Sequence, residues 1–299
     1  MHAETSPRYR GRFAPSPTGP LHLGSLIAAL ASYLDARHNG GTWLVRMEDL
    51  DPPREEKGAI DRILASLRHH GLHWDEPVLY QSQRGPAYTA ALAVLAAGGH
   101  LFCCDCTRAL VGPDGSCRGD CRRRQQQLAA PSATRVAVPP DCLIRFNDRI
   151  QGCVESNLGV AVPDFVVKRK DGLYAYQLAV VVDDAWQGVD HIVRGSDLLD
   201  STPRQVFLQQ LLGYPTPRYS HVPVITDGAG QKYSKQNHAP ALDDHRAPAN
   251  LRTALAFLHQ QAPPAALAAT AAILDFASSH WLPASIPAAL SIAADTNRP

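Results

Sequence analysis

Long apolar runs are missing from this chain. Nowhere in its 299 residues does an uninterrupted apolar stretch reach the roughly 18 needed for a membrane-crossing helix, and the opening MHAETSPRYRGR lacks the apolar core of an export signal. A cytoplasmic protein with no membrane partner is expected. An excess of charge of one sign is missing too. Lys and Arg number 29 against 28 Asp and Glu, a formal +1, so composition alone does not select nucleic acid, and any such contact must come from a local patch. No internal repeat is visible. What is present is 45% apolar and 19% charged residues, too rich in Val, Leu, Ile and Ala for disorder. At roughly 100 to 200 residues per domain, this length suits two domains, or one large α/β domain with an insertion and a short tail. Seven Cys in a cytosolic chain read as thiols or metal ligands rather than disulfides.

The pattern opens as strand, loop, helix, strand. Arg10 to Ala14 reads as a strand, and Pro15, Pro17, Gly19 and Pro20 forbid both helix and sheet after it. Leu23, Leu26, Ile27, Leu30 and Leu34 recur at helical spacing until Asn39, Gly40 and Gly41 stop them. Trp43 to Met47 is the next strand, parallel to the first across a βαβ crossover, the opening of a nucleotide-binding fold. Further helices are expected from about Glu55 to His70 and Ala87 to Ala97. Leu101 to Arg124 is Cys- and Arg-rich without apolar period and reads as an insertion. Alternation returns at Asp164 to Lys168, and the branched run Leu178 to Val182 suits a central strand. Thr202, Pro203 and Gln205 read as N-cap, first-turn proline and capping-box partner of a helix ending before Gly213. His221 to Ile225 reads as the last strand, followed by a polar loop from Asp227 to His238. The expected division is 1–100 and 166–238 for the two halves of a Rossmann-like catalytic domain, 101–165 for the insertion, and 239–299 for a small helical tail.

Two segments carry phosphate chemistry. His22-Leu23-Gly24-Ser25 stands at the start of the first helix, whose free N–H groups and positive dipole end favour phosphate. His22 adds a donor, and Gly24 keeps a side chain away from where a nucleotide presses on backbone. His22 could equally be a helix cap and Gly24 a packing glycine. Lys232-Tyr233-Ser234-Lys235 follows Gly228 and Gly230, so two lysines three apart can close over a triphosphate and neutralise charge building on the leaving pyrophosphate. A solvated loop is the alternative for that segment alone.

Together these segments resemble the paired signatures of class I aminoacyl-tRNA synthetases, the second being KMSKS-like. The blocks Arg12-Phe13-Ala14-Pro15-Ser16-Pro17-Thr18-Gly19, Leu44-Val45-Arg46-Met47-Glu48-Asp49-Leu50-Asp51 with Arg54, Trp74-Asp75-Glu76 and Tyr80-Gln81-Ser82 narrow this to glutamyl-tRNA synthetase catalytic domains, over about residues 8 to 238. Roughly sixty residues remain after Gln236, too few for large anticodon-binding domains, so the shortened glutamyl-Q tRNA(Asp) synthetase family is the closer resemblance. It implies an α/β class I synthetase fold, with a Rossmann-like parallel sheet, a zinc-binding insertion and a short helical C-terminal tail. It implies, too, a ligase-type enzyme that activates L-glutamate with ATP and Mg²⁺ without tRNA, then transfers it to queuosine in the anticodon of tRNA(Asp); a monomer is expected. By the same resemblance, Arg12 and Arg194 bind substrate carboxylates, Glu48 the ammonium and Tyr176 the side chain, with Phe13, Ala14, Pro15 and Ser16 lining the amino acid. His22, Gly24, Ser25, Ser234 and Lys235 bind ATP, with His22, Lys232 and Lys235 carrying phosphate charge. Charge logic agrees, because glutamate presents two carboxylates and one ammonium. Arg46 with Asp49, Asp51 and Arg54 reads as an ion-pair ladder behind the strand, and Arg194 could pair Asp190 or Asp197 instead of substrate.

Cys104 and Cys106, then Cys117 and Cys121, give C-x-C and C-x3-C, a soft four-thiolate set for a structural Zn²⁺ with no open position. In an extended segment Cys103 points away from Cys104 and Cys106, and Gly112-Pro113-Asp114-Gly115 can turn the second pair back. Free thiols are the competing reading; Cys142 and Cys153 lie outside the spacing. Arg118, Arg122, Arg123 and Arg124, extended by Arg8 and Arg10, could hold RNA phosphates or be solvated surface, and no aromatic stands among them to stack a base. Three other functions keep parts of the pattern: an atypical glutamyl-tRNA synthetase charging the tRNA terminus, a glutamate-activating enzyme with a small-molecule acceptor that needs no tRNA, and a non-catalytic zinc-dependent RNA-binding protein that would tolerate Lys235→Ala.

Overall fold

The structure is a computed structural model that describes residues 9–227 and 240–293, apart from 113, 114, 118, 129 and 163. β1 (Arg10–Phe13) leads through the proline-rich loop into α1 (Leu23–His38), which returns the chain to β2 (Thr42–Met47), parallel to β1 with Arg12 opposite Leu44. A short 3-10 turn, Pro52–Arg54, precedes α2 (Ala59–His69), and β3 (Leu79–Tyr80) then adds in parallel to β2. After α3 (Gly85–Ala97), β4 (Leu101–Cys104) and β5 (Ala133–Ala137) pair antiparallel. β6 (Leu143–Asp148) and β7 (Gly152–Asn157) form a hairpin, followed by the single turn α4 (Leu158–Ala161) and β8 (Asp164–Lys168), which pairs antiparallel with β5. The second half of the parallel core is α5 (Tyr176–Trp186), β9 (His191–Gly195), α6 (Thr202–Leu212) and β10 (Arg218–Val222), with Arg194 opposite His221. β11 (Val224–Thr226), α7 (Ala247–Phe257), α8 (Thr270–Ser279) and β12 (Ser291–Ala293) complete the described chain.

The expected strand, helix, strand opening is present, and β1 and β9 bring the two halves together. The Asp190 N–H donates to Arg10 O at 3.1 Å, and the Arg10 N–H donates to the Asp190 carboxylate at 2.7 Å. One apolar cluster packs Leu26, Leu30 and Leu34 of α1 against Trp43, Leu251, Leu255 and Trp281; a second gathers Tyr88, Val180, Val206 and Tyr219. Each fully buried Leu or Val is worth about 1.5–3 kcal/mol of apolar burial, which is why α1 holds its place under the site.

Four expectations need correcting. Leu178 to Val182 is not a strand but the middle of α5, with every residue from Leu178 to Asp184 buried. An unbroken apolar run fits a helix buried on all sides as well as a buried strand, and periodicity cannot separate them. Thr202 is not an N-cap: α6 starts after Ser201, no side chain caps it, and the Thr202 hydroxyl is engaged elsewhere. The strand reading His221 to Ile225 divides at Pro223, and β12 adds a later parallel strand to β11, so the tail is not only helical. β6 lies within the segment expected as insertion, yet it joins the sheet of β9 and β10, with Asp148 opposite Tyr219.

Candidate active site

A cavity of about 420 Å³ opens where β1, β2, β9 and β10 end, the crevice in which open parallel sheets bind ligands. Arg12, Phe13, Ala14, Ser16, His22, Gly24, Ser25, Glu48, Tyr176 and Arg194 all line it. Pro15 is not among the lining residues, but its carbonyl accepts the Glu48 backbone N–H at 3.0 Å and so fixes where Glu48 points. Lys232, Ser234 and Lys235 lie outside the described residues.

At one end, charges of both signs are buried together. Asp184 accepts from Arg12 Nε at 3.1 Å and from Arg46 Nη1 at 2.7 Å, and Arg46 Nη1 also donates to the Gln187 side-chain oxygen at 2.8 Å. Burial pushes the Asp184 carboxyl up, but the two guanidiniums outweigh it and hold it below the usual range. The α5 carboxylate is thus a fixed anion that orients Arg12. Glu48 is different. Among the described residues its only ion-pair contact is Arg46 Nη2 at 3.6 Å, and its Oε1 is buried with no hydrogen-bond partner there. Burial outweighs the attraction of Arg46, Arg12 and Arg194 and pushes its carboxyl up to about 7. A buried carboxylate short of donors, facing a cavity, is a receptor for an ammonium.

A polar chain fixes Arg194. Its Nη1 donates to the Tyr176 hydroxyl at 3.4 Å, its Nη2 to the Thr202 hydroxyl at 2.8 Å, and its Nε to His221 Nε2 at 3.0 Å. His221 Nδ1 in turn meets Asp148 at 2.6 Å. Because Arg194 can only donate, the imidazole must accept at Nε2 and donate from Nδ1. Burial lowers the His221 pKa more than Asp148 raises it, which keeps that neutral tautomer. Asp148 itself is pushed up by burial but held below its ordinary value by His221 and the backbone N–H groups of Gln151 and Ile150. Burial raises the Tyr176 hydroxyl, so it stays protonated.

The other end is the start of α1. His22 is its N-cap, with Nδ1 accepting the Ser25 N–H at 3.3 Å, which puts the proton of the neutral ring on Nε2. A Cβ on Gly24 would sit 3.2 Å from the His22 ring and 3.3 Å from Ile225 Cγ2. The capping and packing roles weighed for these two residues are therefore real, and both residues line the cavity as well.

Cys104, Cys106, Cys117 and Cys121 place their sulfurs within 4.8 Å of one another, compact enough for one tetrahedral ion with metal–sulfur bonds of about 2.3 Å. Cys103 is exposed, and Gly115 N–H to Gly112 O at 2.9 Å closes the turn that returns the second pair. The arginine cluster is largely structural. Arg124 binds Asp105 and the Gly119 carbonyl beside the thiols, and Arg122 lies over the Phe102 ring. Arg123 pairs Asp120, while Arg10 pairs Glu76 and so does not extend the cluster. Arg8 and Arg118 lie outside the described residues. The expected ladder breaks up as well: Arg46 goes to Asp184, Asp49 accepts from Ser82, and Arg54 pairs Asp51.

Sequence reasoning missed Asp148, Asp184, His221 and Thr202. Asp183 and Asp184 were detectable as paired acids ending an apolar run, since buried acids need cationic partners. The lining residues Gly195, Asp197 and Leu198 directly follow Arg194 at a strand end, a position that itself points to a ligand.

A parallel-sheet crevice with a phosphate-type helix start at one end and amino-acid charge partners at the other defines a class I aminoacyl-tRNA synthetase. The family of class I tRNA synthetases (E and Q), catalytic domain, matches residues 8–111 and 113–256. The fold is similar to a glutamate-tRNA synthetase from Elizabethkingia anophelis, at TM-score 0.79 and 25% identity over 97% of this chain and 68% of that one. A glutamate tRNA ligase from Elizabethkingia meningosepticum, in complex with its amino acid, matches at TM-score 0.78 and 25% identity, over 96% of this chain and 67% of that one. More specifically, the chain belongs to the glutamyl-Q tRNA(Asp) synthetases. It is 56% identical to the relative of that name from Thiobacillus denitrificans, over 93% of this chain and 94% of the relative, and 52% identical to that of Pseudomonas fluorescens, over 98% of both.

Proposed function

We propose that this enzyme activates L-glutamate with ATP, without tRNA, and transfers it to queuosine in the anticodon of tRNA(Asp). The observation that carries the reading is one cavity holding the α1 N-terminus and His22 at one end and Arg12, Glu48, Tyr176 and Arg194 at the other. Family membership supports the same chemistry. Glutamate binds with its ammonium on Glu48 and its side-chain carboxylate between Arg194 and Tyr176, while Arg12, oriented by Asp184, adds cationic charge. Its α-carboxylate oxygen attacks the α-phosphorus of ATP; the bond to the bridging oxygen breaks, and pyrophosphate leaves with that electron pair. His22 Nε2–H and the α1 N–H groups bind the phosphates, and Lys232 and Lys235 neutralise the leaving group. ATP is used as its magnesium complex, in which the metal screens the triphosphate. No side chain acts as nucleophile, so catalysis rests on positioning and electrostatics, for which one well-placed donor is worth about 10² to 10³ in rate. An acceptor hydroxyl then attacks the mixed anhydride and AMP departs. The four cysteines fit a structural Zn²⁺ that organises the insertion without touching substrate.

Glutamate-dependent exchange of pyrophosphate into ATP, with and without tRNA, tests the first step. Attachment of glutamate to queuosine-containing tRNA(Asp), queuosine-free tRNA(Asp) and tRNA(Glu) tests the second. Exchange without tRNA and transfer to the modified tRNA(Asp) alone are expected; absence of exchange under all conditions refutes the reading.

A further inference from the structure

A second cavity, of about 760 Å³, shares Ser16, Glu48, Arg54 and Tyr176 with the first. Its described lining includes none of the phosphate-end residues His22, Gly24 and Ser25. With an adenylate filling the first cavity, this is the side from which an acceptor hydroxyl can reach the glutamyl carbonyl. Two carboxylates besides Glu48 line it, Asp51 and Glu55, and their situations differ. Asp51 is neutralised by Arg54 and by Arg169 Nη1 at 3.1 Å. Glu55 makes no ion pair among the described residues. The Asp51 backbone N–H lowers its pKa from across the Pro52–Arg54 turn, and among the described residues Oε1 is buried with no hydrogen-bond partner. Burial, Asp49 and Asp51 all push this carboxyl up. The cavity beside the glutamyl group therefore holds two arginines, Arg54 and Arg169, that pair with Asp51, and a second carboxylate, Glu55, that forms an ion pair with no cation among the described residues.

On the reading above, the acceptor supplies that cation. Queuosine joins its cyclopentenediol to the deazaguanine ring through a secondary amine, which is protonated at neutral pH and sits close to the reacting hydroxyls. We propose that Glu55 is a specificity residue for the acceptor, its carboxylate receiving this secondary ammonium. Guanosine at the same anticodon position carries neither cation nor diol and leaves Glu55 uncompensated, so binding of modified over unmodified tRNA follows from one charge pair.

The test is Glu55→Gln, assayed with queuosine-containing tRNA(Asp). Loss of a charge-assisted contact should raise the KM for this tRNA about 10- to 100-fold, with glutamate-dependent pyrophosphate exchange unchanged in the same preparation. A small probe, 7-aminomethyl-7-deazaguanine, has the ammonium without the diol; it should inhibit transfer by the unsubstituted enzyme and do so far less well with the variant. Wild-type KM and equal inhibition would overturn the assignment. Loss of exchange together with transfer would mark Glu55 as a cap of the Pro52–Arg54 turn and overturn it too. Unsubstituted enzyme that exchanges pyrophosphate yet glutamylates no queuosine-containing tRNA would refute the parent reading, a result distinct from normal transfer by the variant.

Discussion

Replacing Glu48 by Gln should separate stability from function. In the folded protein, burial raises this carboxyl from its ordinary 4.5 to about 7. At 1.36 kcal/mol per pKa unit, that gap is worth about 3 kcal/mol of folding free energy. An acid whose pKa is higher folded than unfolded holds its proton more tightly when folded, so it costs nothing below about pH 4.5, and stability is lost as pH rises to about 7. Glu48→Gln removes that loss. Arg46 is not orphaned by the change, because Asp184 and Gln187 still accept from it. Urea unfolding of the substrate-free variant should therefore show it more stable than the parent by up to about 3 kcal/mol at pH 8, with the two converging near pH 4.5. Function moves the other way. An amide cannot neutralise the substrate ammonium, so kcat/KM for glutamate in pyrophosphate exchange should fall about 10- to 100-fold, with the KM for ATP nearly unchanged. In the unsubstituted enzyme, kcat/KM for glutamate should decline as pH falls below about 7, because protonated Glu48 no longer binds a cation. A variant that is less stable at pH 8, or a glutamate KM flat between pH 6 and pH 8, would refute an uncompensated carboxylate at this position.

Asp148→Asn should lose about 3 kcal/mol of stability by breaking a buried pair, and raise the glutamate KM about tenfold by freeing the His221 ring that orients Arg194; denaturation and exchange assays read the two effects. Since His221 is held neutral below its ordinary range, the unfolded chain takes up that proton first, and stability of the unsubstituted protein should fall as pH drops through about 6.5. Metal analysis should find one zinc per chain on the four clustered cysteines, and chelation should loosen the 101–165 segment while tRNA-independent exchange persists in part. Gly24→Ala, whose methyl would crowd the His22 ring and Ile225, should raise the KM for ATP through an overpacking cost of about 1–3 kcal/mol and leave the KM for glutamate close to that of the parent.

Residues lining the cavity were legible because their chemistry is local. The helix start with His22 and Gly24, the segment Arg12 to Ser16 at the end of β1 and the four cysteines are short segments in which spacing alone places the functional groups, and the described structure brings each set together. α5 was misread for a physical reason: burial on every side erases the period that separates helix from strand, so Leu178 to Val182 carried no register information. With it went Asp184, since a strand and a helix aim that carboxylate in different directions.

The supporting polar chain was illegible for another reason. Asp148 ends a hairpin strand, His221 sits in β10 and Arg194 in β9, and their bonds at 2.6 and 3.0 Å exist only once β6, β10 and β9 lie side by side. Nothing near Asp148 in the sequence distinguishes it from an ordinary turn aspartate. On the proposed function, the arrangement is what prepares Arg194 for a carboxylate, because a guanidinium free to rotate would bind one only after losing its rotamer freedom at each turnover. The strands that build the sheet also set the side-chain angles of the site, so a substitution that shifts β6 should reach glutamate binding through Arg194 without touching the cavity wall.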